Sequence, residues 1–214
     1  MDQKDLFDRA YKEIGQIFNP SSSLVDFYLK RVKKYIESPI GSKIKVLEVG
    51  SGLGSIFQDE LLVEEENNYL SILGIDFSFR AVEEAKKRWN FLTSKNKLID
   101  KKMDIKFLMR NILDDLNLNE SFNLVMDSHC FHCLNDLSEQ KKALKNMVSS
   151  LKSGGILAIE TMVRHKNMSF SPPYYFDSHT SKLFKEDCWG TFVQFRTVPE
   201  AIELEKMILK ENLK

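Results

Sequence analysis

The segment Val46-Leu-Glu-Val-Gly50-Ser-Gly52-Leu-Gly54 decides the fold of this chain, because an apolar run ends directly in glycines spaced two residues apart. The run at 44–49 is mainly apolar and β-branched, which predicts a buried strand. Glycines after such a strand let a ligand approach the backbone closely, and the following helix presents free N–H groups. We therefore predict a ligand-binding loop at the carboxyl end of a first strand.

Strand-like and helix-like segments alternate through the middle of the chain. Further strand-like runs lie at 70–75, 104–109, 122–126 and 155–163, and helical patterns such as 78–92 lie between most of them. Strands that alternate with helices predict a parallel sheet covered on both faces. The predicted fold class is α/β, a three-layer sandwich with a mostly parallel central sheet.

The 214 residues, 43 % of them hydrophobic, fit one domain over 1–214. Apolar residues at helical spacing predict N-terminal helices within 1–40, one of them over 2–18 and a second opened by a capping box at Ser23. An irregular aromatic- and proline-rich stretch at 164–189, a short strand at 191–197 and a C-terminal helix at 198–214 complete the predicted order. Thr197 and Glu200 form the predicted capping box of that last helix.

Composition restricts the partners and the compartment. The 31 basic residues balance 31 acidic ones, so no long-range field gathers nucleic acid or an anionic membrane surface. No apolar run approaches the roughly 20 residues that span a bilayer. Three cysteines cannot all pair, and the N-terminus has no apolar signal stretch, so we expect a reducing, cytoplasmic setting.

Three motifs together resemble the class I S-adenosylmethionine-dependent methyltransferases over residues 43–163. Glu48-Val-Gly50-Ser-Gly52-Leu-Gly54 matches the family's acidic-x-G-x-G-x-G motif, and Leu151-Lys-Ser-Gly154-Gly155 matches its L-K-x-G-G turn into the fifth strand. Phe122-Asn-Leu-Val-Met-Asp127 is similar to its F-D-x-V-x-x strand. The resemblance implies a Rossmann-like methyltransferase fold, S-adenosyl-L-methionine as cofactor and methyl transfer as activity.

The same resemblance assigns cofactor contacts to the ends of the first four strands. Asp76 is expected to accept hydrogen bonds from the ribose hydroxyls, because a carboxylate accepts two at once, and its alternative role is a helix N-cap. Phe77 is expected against the adenine. Asn111 stands where many relatives carry Asp, and Asp114 replaces it if the register slips. The expected cofactor-binding residues are Glu48, Gly50, Ser51, Gly52, Gly54, Asp76, Phe77, Asn111, Ile112, Asp127 and Ser128.

The segment Asp127-Ser-His129-Cys130-Phe-His132-Cys133 supplies the candidate catalytic residues. A histidine at the carboxyl end of a parallel strand lies where ligands bind, and imidazole titrates near neutral pH. His129 or His132 is therefore the expected general base, with Asp127 beside it. We expect no metal here, since adjacent His–Cys pairs cannot all point at one ion, and both cysteines are expected to pack as small apolar residues.

Two other activities are weighed against methyl transfer. A nicotinamide-dependent oxidoreductase shares the strand, turn and acidic second-strand end, but its G-x-G-x-x-G fingerprint needs glycine at 55, where this chain has Ser55. A methyltransferase-like binding protein without catalysis is the other alternative. Ser171-Pro-Pro-Tyr174 resembles the N-P-P-Y signature of nucleic-acid adenine methyltransferases, but it follows the fifth strand rather than the fourth, so no nucleic acid is expected.

The end of the chain departs from the family pattern, which places two more strands after the fifth. An uncovered fifth strand is an edge open to pairing. We expect a truncated form, completion by 191–197, or a homodimer through this edge. The segment 170–192 and the N-terminal helices are expected to close over the acceptor, which is a small molecule or, second, a protein side chain. The candidate lid residues are Tyr174, Tyr175, Phe176 and Trp189.

Overall fold

The computed structural model describes residues 21–36, 41–58, 68–96, 101–116, 118, 121–165, 167–187 and 189–211. A five-stranded parallel sheet forms its centre in the order β3-β2-β1-β4-β5. Its strands are β1 Lys43–Val49, β2 Tyr69–Asp76, β3 Met103–Met109, β4 Phe122–Asp127 and β5 Leu151–Ile159. The predicted α/β fold is confirmed, whereas the predicted helix at 2–18 lies outside the described residues.

Helices cover both faces of this sheet. On one face α1, Ser22–Phe27, continues as a π-helical turn and a 3₁₀ turn to Tyr35, and α2, Phe79–Lys95, packs beside it. On the other face lie α3, Leu137–Ser149, and α4, Ala201–Lys210. The ring of Tyr28 meets that of Phe57 edge-on at 5.0 Å, so the described N-terminal helix packs against the core. No helix in the described ranges is long and apolar enough to cross a membrane.

The strand order places β1 at the point where the chain reverses direction across the sheet. Val49, the last residue of β1, is level with Ile75 of β2 on one side and Asp127 of β4 on the other. The loops that follow these strands therefore meet at one edge. Ligands of open α/β sheets bind in the crevice at such a switch point.

The segment after β5 forms a second, antiparallel sheet, β6-β7-β8. Its strands are β6 Tyr174–Asp177, β7 Lys182–Glu186 and β8 Phe192–Thr197. The strand predicted at 191–197 is present, but the prediction of an irregular stretch up to residue 189 is wrong. Aromatic residues favour β6, and strands as short as β6 and β7 leave too few residues to show a period.

The edge of β5 is not completed as expected. β8 pairs with β7, its neighbour along the chain, so the prediction that 191–197 completes the central sheet is wrong. Among the described residues β5 pairs with β4 alone, and Lys152, Ser153 and Gly154 at its start are exposed. Polar residues at an edge discourage pairing. A homodimer through this edge stays a prediction.

The last helix begins later than its predicted capping box. Glu200 is the N-cap of α4, and the Glu200 and Glu203 side chains each accept from the other's backbone N–H. Thr197 is buried as the last residue of β8. The box is therefore shifted by three residues, because Val198 and Pro199 carry the chain from the small sheet to the helix.

Candidate functional site

A cavity of about 300 Å³ opens at the carboxyl ends of β1, β2, β3 and β4. This volume lies at the lower end of the range for ligand pockets. The cavity wall combines apolar side chains with polar groups from four loops and the first turn of α3. It consists of Val49, Gly50, Ile75, Asp76, Phe77, Arg110, Asn111, Ile112, Leu113, Ser128, His129, Cys130, Cys133, Leu134, Asn135 and Glu139.

Gly50 is required by the backbone of the loop after β1. Its φ is +73°, a left-handed conformation that side chains rarely adopt. A Cβ at this position would lie 2.5 Å from the Cβ of Cys130. The glycine therefore lets the loops after β1 and β4 touch, and this contact forms the floor of the cavity.

The N–H groups of the glycine loop donate within the protein. Gly50 and Ser51 both donate to the carbonyl of Ile75, at 2.8 and 3.0 Å. Gly52 donates to Asp76 Oδ2 at 3.0 Å, and Gly54 donates to the carbonyl of Ser51 at 3.0 Å. These four N–H groups therefore form no cradle for a pyrophosphate. The free N–H groups predicted from the sequence belong to the helix after this loop.

Asp76 lies in the cavity wall and is 5 % exposed. Its Oδ1 accepts from the N–H of Ser78 at 2.9 Å, and its Oδ2 accepts from the N–H of Gly52. The N-cap of α2 is Ser78, whose hydroxyl oxygen accepts from the N–H of Ala81 at 3.1 Å. Asp76 is therefore not the helix cap.

Glu48 lies behind the cavity wall, fully buried. Its Oε1 accepts from the Ser128 hydroxyl at 2.7 Å and from the N–H of Ile56 at 3.1 Å. Burial raises the pKa of Glu48, against the opposing effect of these hydrogen bonds. The carboxyl group thus ties the glycine loop to the end of β4 and does not line the cavity.

Residues that follow β2 and β3 contribute to the cavity wall. Phe77 comes directly after β2, and Asn111 and Ile112 come after β3. Asn111 Oδ1 accepts from the N–H of Leu113 at 3.0 Å, which fixes the turn that carries Ile112. Asp114 is exposed and outside the cavity, so the register that places Asn111 at the wall is the one the chain adopts.

Asp127, the last residue of β4, shapes the loop that carries the histidines. It is fully buried, and its Oδ1 accepts from the N–H groups of Cys130 at 3.1 Å and Phe131 at 2.9 Å. Burial raises the pKa of Asp127 to about 8. Asp127 lies outside the cavity wall and holds a short 3₁₀ turn, Phe131–Cys133, in place.

The structure separates the two candidate bases. His129 lines the cavity, and its Nε2 lies 3.4 Å from Oε2 of Glu160. His132 is buried behind it, with Nδ1 3.3 Å from the hydroxyl of Thr161, and burial lowers the pKa of His132 to about 4. The ring centroids are 5.7 Å apart. Of the two rings, the one able to reach a molecule in the cavity is that of His129.

The two cysteines of this loop line the cavity without forming a metal site. Burial raises the pKa of Cys133 to about 11 and that of Cys130 well above its usual value. Cys133 Sγ donates to the carbonyl of His129 at 3.2 Å. Although the cysteines have the C-x-x-C spacing that zinc sites use, no three His, Cys, Asp or Glu in the described part of the chain are grouped to hold a metal.

The small sheet is tied to the loop after β4. Gln140 Nε2 donates to the carbonyls of Phe131 and Thr197, at 3.1 and 3.0 Å. Thr197 Oγ1 donates to the carbonyl of Leu134 at 2.6 Å, and Gln194 Nε2 donates to that of Asn135 at 2.5 Å. These residues could not be predicted from the sequence, because hydrogen bonds between side chains and distant carbonyls leave no spacing pattern.

None of the four candidate lid residues lines the cavity. Tyr175 and Trp189 are exposed, and the ring of Phe176 stacks on that of Phe170 at 5.2 Å. Tyr174 lies against Phe195 at 5.9 Å. The small sheet therefore reaches the site through β8 and not through its aromatic side chains.

A family model described as a methyltransferase domain matches residues 40–209. The chain belongs to this family. The match spans the sheet, the cavity loops and the small sheet, so it confirms the resemblance to class I S-adenosylmethionine-dependent methyltransferases stated from the sequence. No curated protein sequence matches this chain.

Solved structures share the fold at low sequence identity. A methyltransferase from Methanosarcina mazei is 17 % identical, with a TM-score of 0.66 over 84 % of this chain and 82 % of its own. An S-adenosylmethionine-dependent methyltransferase from Clostridium acetobutylicum is 16 % identical, with a TM-score of 0.59 over 98 % and 87 %. The sugar N-methyltransferase KedS8 from Streptoalloteichus is 15 % identical, with a TM-score of 0.57 over 96 % and 81 %.

Proposed function

We propose that this protein transfers the methyl group of S-adenosyl-L-methionine to a small-molecule acceptor. The observation that carries the proposal is that Asp76 lies in the cavity wall beside a glycine loop whose N–H groups already donate to oxygens of the protein. Asp76 presents a carboxylate to the cavity, while Gly50, Ser51, Gly52 and Gly54 donate within the protein. A carboxylate acceptor without N–H donors beside it suits a ligand with a diol and a positive charge better than a phosphorylated ligand.

The cavity fits the parts of the cofactor. Asp76 would accept from the ribose hydroxyls, and Phe77, Ile112 and Leu113 offer apolar surface to the adenine. With Asn111 Oδ1 held by Leu113, the amide NH₂ of Asn111 supplies a donor to a ring nitrogen. The cavity is not lined by Glu48, Ser51, Gly52, Gly54 or Asp127. Gly50 and Ser128 remain as direct contacts.

The chain's own residues hold the acceptor and remove its proton. When bound, S-adenosyl-L-methionine supplies an electrophilic methyl carbon whose bond to sulfur breaks, with its electron pair, as the acceptor's lone pair bonds to carbon. His129 lines the cavity and accepts the acceptor's proton, whereas His132 is too weakly basic and too deeply placed. Holding the reactants in a closed site supplies most of the remaining acceleration.

A small acceptor is supported by the charge and by the fold relatives. The chain carries no net charge to attract nucleic acid or a membrane. KedS8, which shares the fold, is a sugar N-methyltransferase. A protein side chain is the second acceptor class. We also propose a cytoplasmic location, because its cysteines are free where described, and cell fractionation tests this.

Methyl transfer from labelled cofactor tests the proposal. Purified protein is incubated with methyl-tritiated cofactor and a panel of amino sugars, phenols and small carboxylic acids, and labelled product is counted. We expect His129→Ala to lower turnover roughly 100-fold or more, since general bases contribute about 10²–10⁴, with cofactor affinity unchanged. His179→Ala, an exposed histidine of the small sheet, is the matched control.

Each outcome of this assay decides a separate point. Unchanged turnover in His129→Ala removes the general base. Tight cofactor binding without product from any acceptor, including peptides, favours a binding protein without catalysis.

A further inference from the structure

Glu160 is a polar residue of the site that the cofactor motifs do not include. It directly follows β5, whose last residue, Ile159, is level with Asp127 of β4. The parallel register therefore brings residue 160 beside the loop that carries His129. Its Oε2 is buried and accepts no hydrogen bond from the described residues. A buried carboxylate oxygen without a donor is costly unless another group interacts with it.

His129 is the group that faces this oxygen. The distance from Nε2 to Oε2 is 3.4 Å, and the two side chains are 38 % and 32 % exposed. His129 has φ +62°, a left-handed conformation that is unfavourable for a non-glycine residue. Asp127 holds the loop in this conformation through the N–H groups of Cys130 and Phe131. Strain of this kind clusters at functional sites.

We propose that Glu160 is a positioning residue. It holds His129 in place as the proton acceptor and stabilises the imidazolium that forms, and the methyl acceptor reaches the site with its nucleophile protonated. The inference rests on the proposed function and names its substrate class. That class comprises alcohols, phenols and ammonium groups, which carry their proton at neutral pH and whose O–H or N–H bond must break. An acceptor that arrives with a free lone pair needs no such pair of side chains.

The proton path follows from the geometry. A carboxylate next to Nε2 keeps a proton on that nitrogen, so Nδ1 carries the lone pair that accepts. The acceptor loses its proton to Nδ1 and gains the methyl group. The imidazolium formed is stabilised by Glu160, and it then releases the proton to water, which restores the neutral ring. A 3.4 Å separation is typical of such pairs before substrate binds.

Other titratable groups around His129 do not take over this role at neutral pH. Within its own loop Asp127 is protonated below a pKa of about 8, Cys133 stays a thiol because burial raises its pKa to about 11, and His132 stays neutral. From β8, Arg196 acts on His132 and Cys133. Asp76, at the end of β2, acts on Cys130 and Cys133. Glu160 is the carboxylate with an oxygen 3.4 Å from Nε2 of His129.

Nitrogen-15 spectra of histidine-labelled protein test the pair without any acceptor. Long-range proton–nitrogen correlations show which ring nitrogen of His129 is protonated. In the wild type we expect the neutral ring to be protonated on Nε2. In Glu160→Gln we expect this preference to weaken, so that part of the population is protonated on Nδ1, because an amide oxygen attracts the Nε2 proton less than a carboxylate does. Glu205→Gln, on the exposed face of α4, is the control.

Kinetics with an identified acceptor add a second readout. Glu160→Gln should lower kcat roughly 10-fold at neutral pH without changing KM, and Glu160→Asp should recover part of it. Titration of each variant with S-adenosyl-L-methionine separates the two claims. No binding to any form refutes the proposed function. Binding to all forms, with His129 signals and kcat indifferent to Glu160→Gln, refutes the role of Glu160 alone.

Discussion

Replacing Asp127 by Asn should raise the stability of the protein relative to wild type progressively as the pH rises. Asp127 is fully buried, and burial raises its pKa from 3.8 to about 8. Between these values the folded protein holds a proton that the unfolded chain has lost. The contribution of Asp127 to stability is therefore fully present below about pH 3.8 and is lost as the pH rises through about 8.

The magnitude follows from this shift. Each pH unit in the window is worth at most about 1.4 kcal/mol, so the difference between Asp127→Asn and wild type should grow by up to ~4 kcal/mol from pH 5 to pH 8. The Asn oxygen still accepts from Cys130 and Phe131. Its NH₂ replaces an Oδ2 that has no partner among the described residues, a cost of about 1–3 kcal/mol that is the same at every pH.

Urea unfolding at several pH values measures this slope. The free energy of unfolding is recorded for wild type, Asp127→Asn and Asp114→Asn, the last being an exposed carboxylate that serves as control. We expect the stability difference to widen with pH for Asp127→Asn alone. A difference that stays constant from pH 5 to pH 8.5 would show that Asp127 is ionised in the folded protein, and the burial argument would be wrong.

Two further substitutions test how the cavity loops are held. Gly50→Ala should lower the free energy of unfolding by roughly 2–4 kcal/mol, because the alanine is strained in a left-handed conformation and its Cβ clashes with Cys130. The loss should exceed that of the control Gly41→Ala, since Gly41 has φ +84° but open space around it. Equal losses measured by urea unfolding would exclude the clash. Gln140→Leu should destabilise by about 1–3 kcal/mol and speed hydrogen exchange in β8, because two carbonyls lose their donor. Unchanged exchange would mean that β8 docks without Gln140.

The central sheet was predictable because its signals are local. A strand that ends in glycines, and strands that alternate with helices, follow from short runs of apolar residues around Gly50 and along 70–126. The small sheet was not predictable in the same way. β6 and β7 are short, and β8 pairs with β7 rather than with β5. This pairing depends on tertiary contacts, which leave no local sequence pattern.

The sequence predicted which loops form the site but not which of their side chains face the cavity. Asp76 and His129 line the cavity as expected, whereas Glu48 and Asp127 come from the same strand ends and lie behind its wall. Motif spacing identifies the end of a strand but not which acidic residue faces a ligand. Glu160 was missed because only the register of β5 against β4 brings it to His129.

Calorimetric titration is the most direct test of the central claim that this cavity binds S-adenosyl-L-methionine. The ligands are S-adenosyl-L-methionine, S-adenosylhomocysteine and NAD, each titrated into wild type and Asp76→Asn. We expect binding of the first two and no binding of NAD. Asp76→Asn should lower the affinity for both roughly 10- to 100-fold, as expected for the loss of hydrogen bonds to a charged group. Binding of NAD alone, or equal affinity in wild type and Asp76→Asn, would contradict the claim.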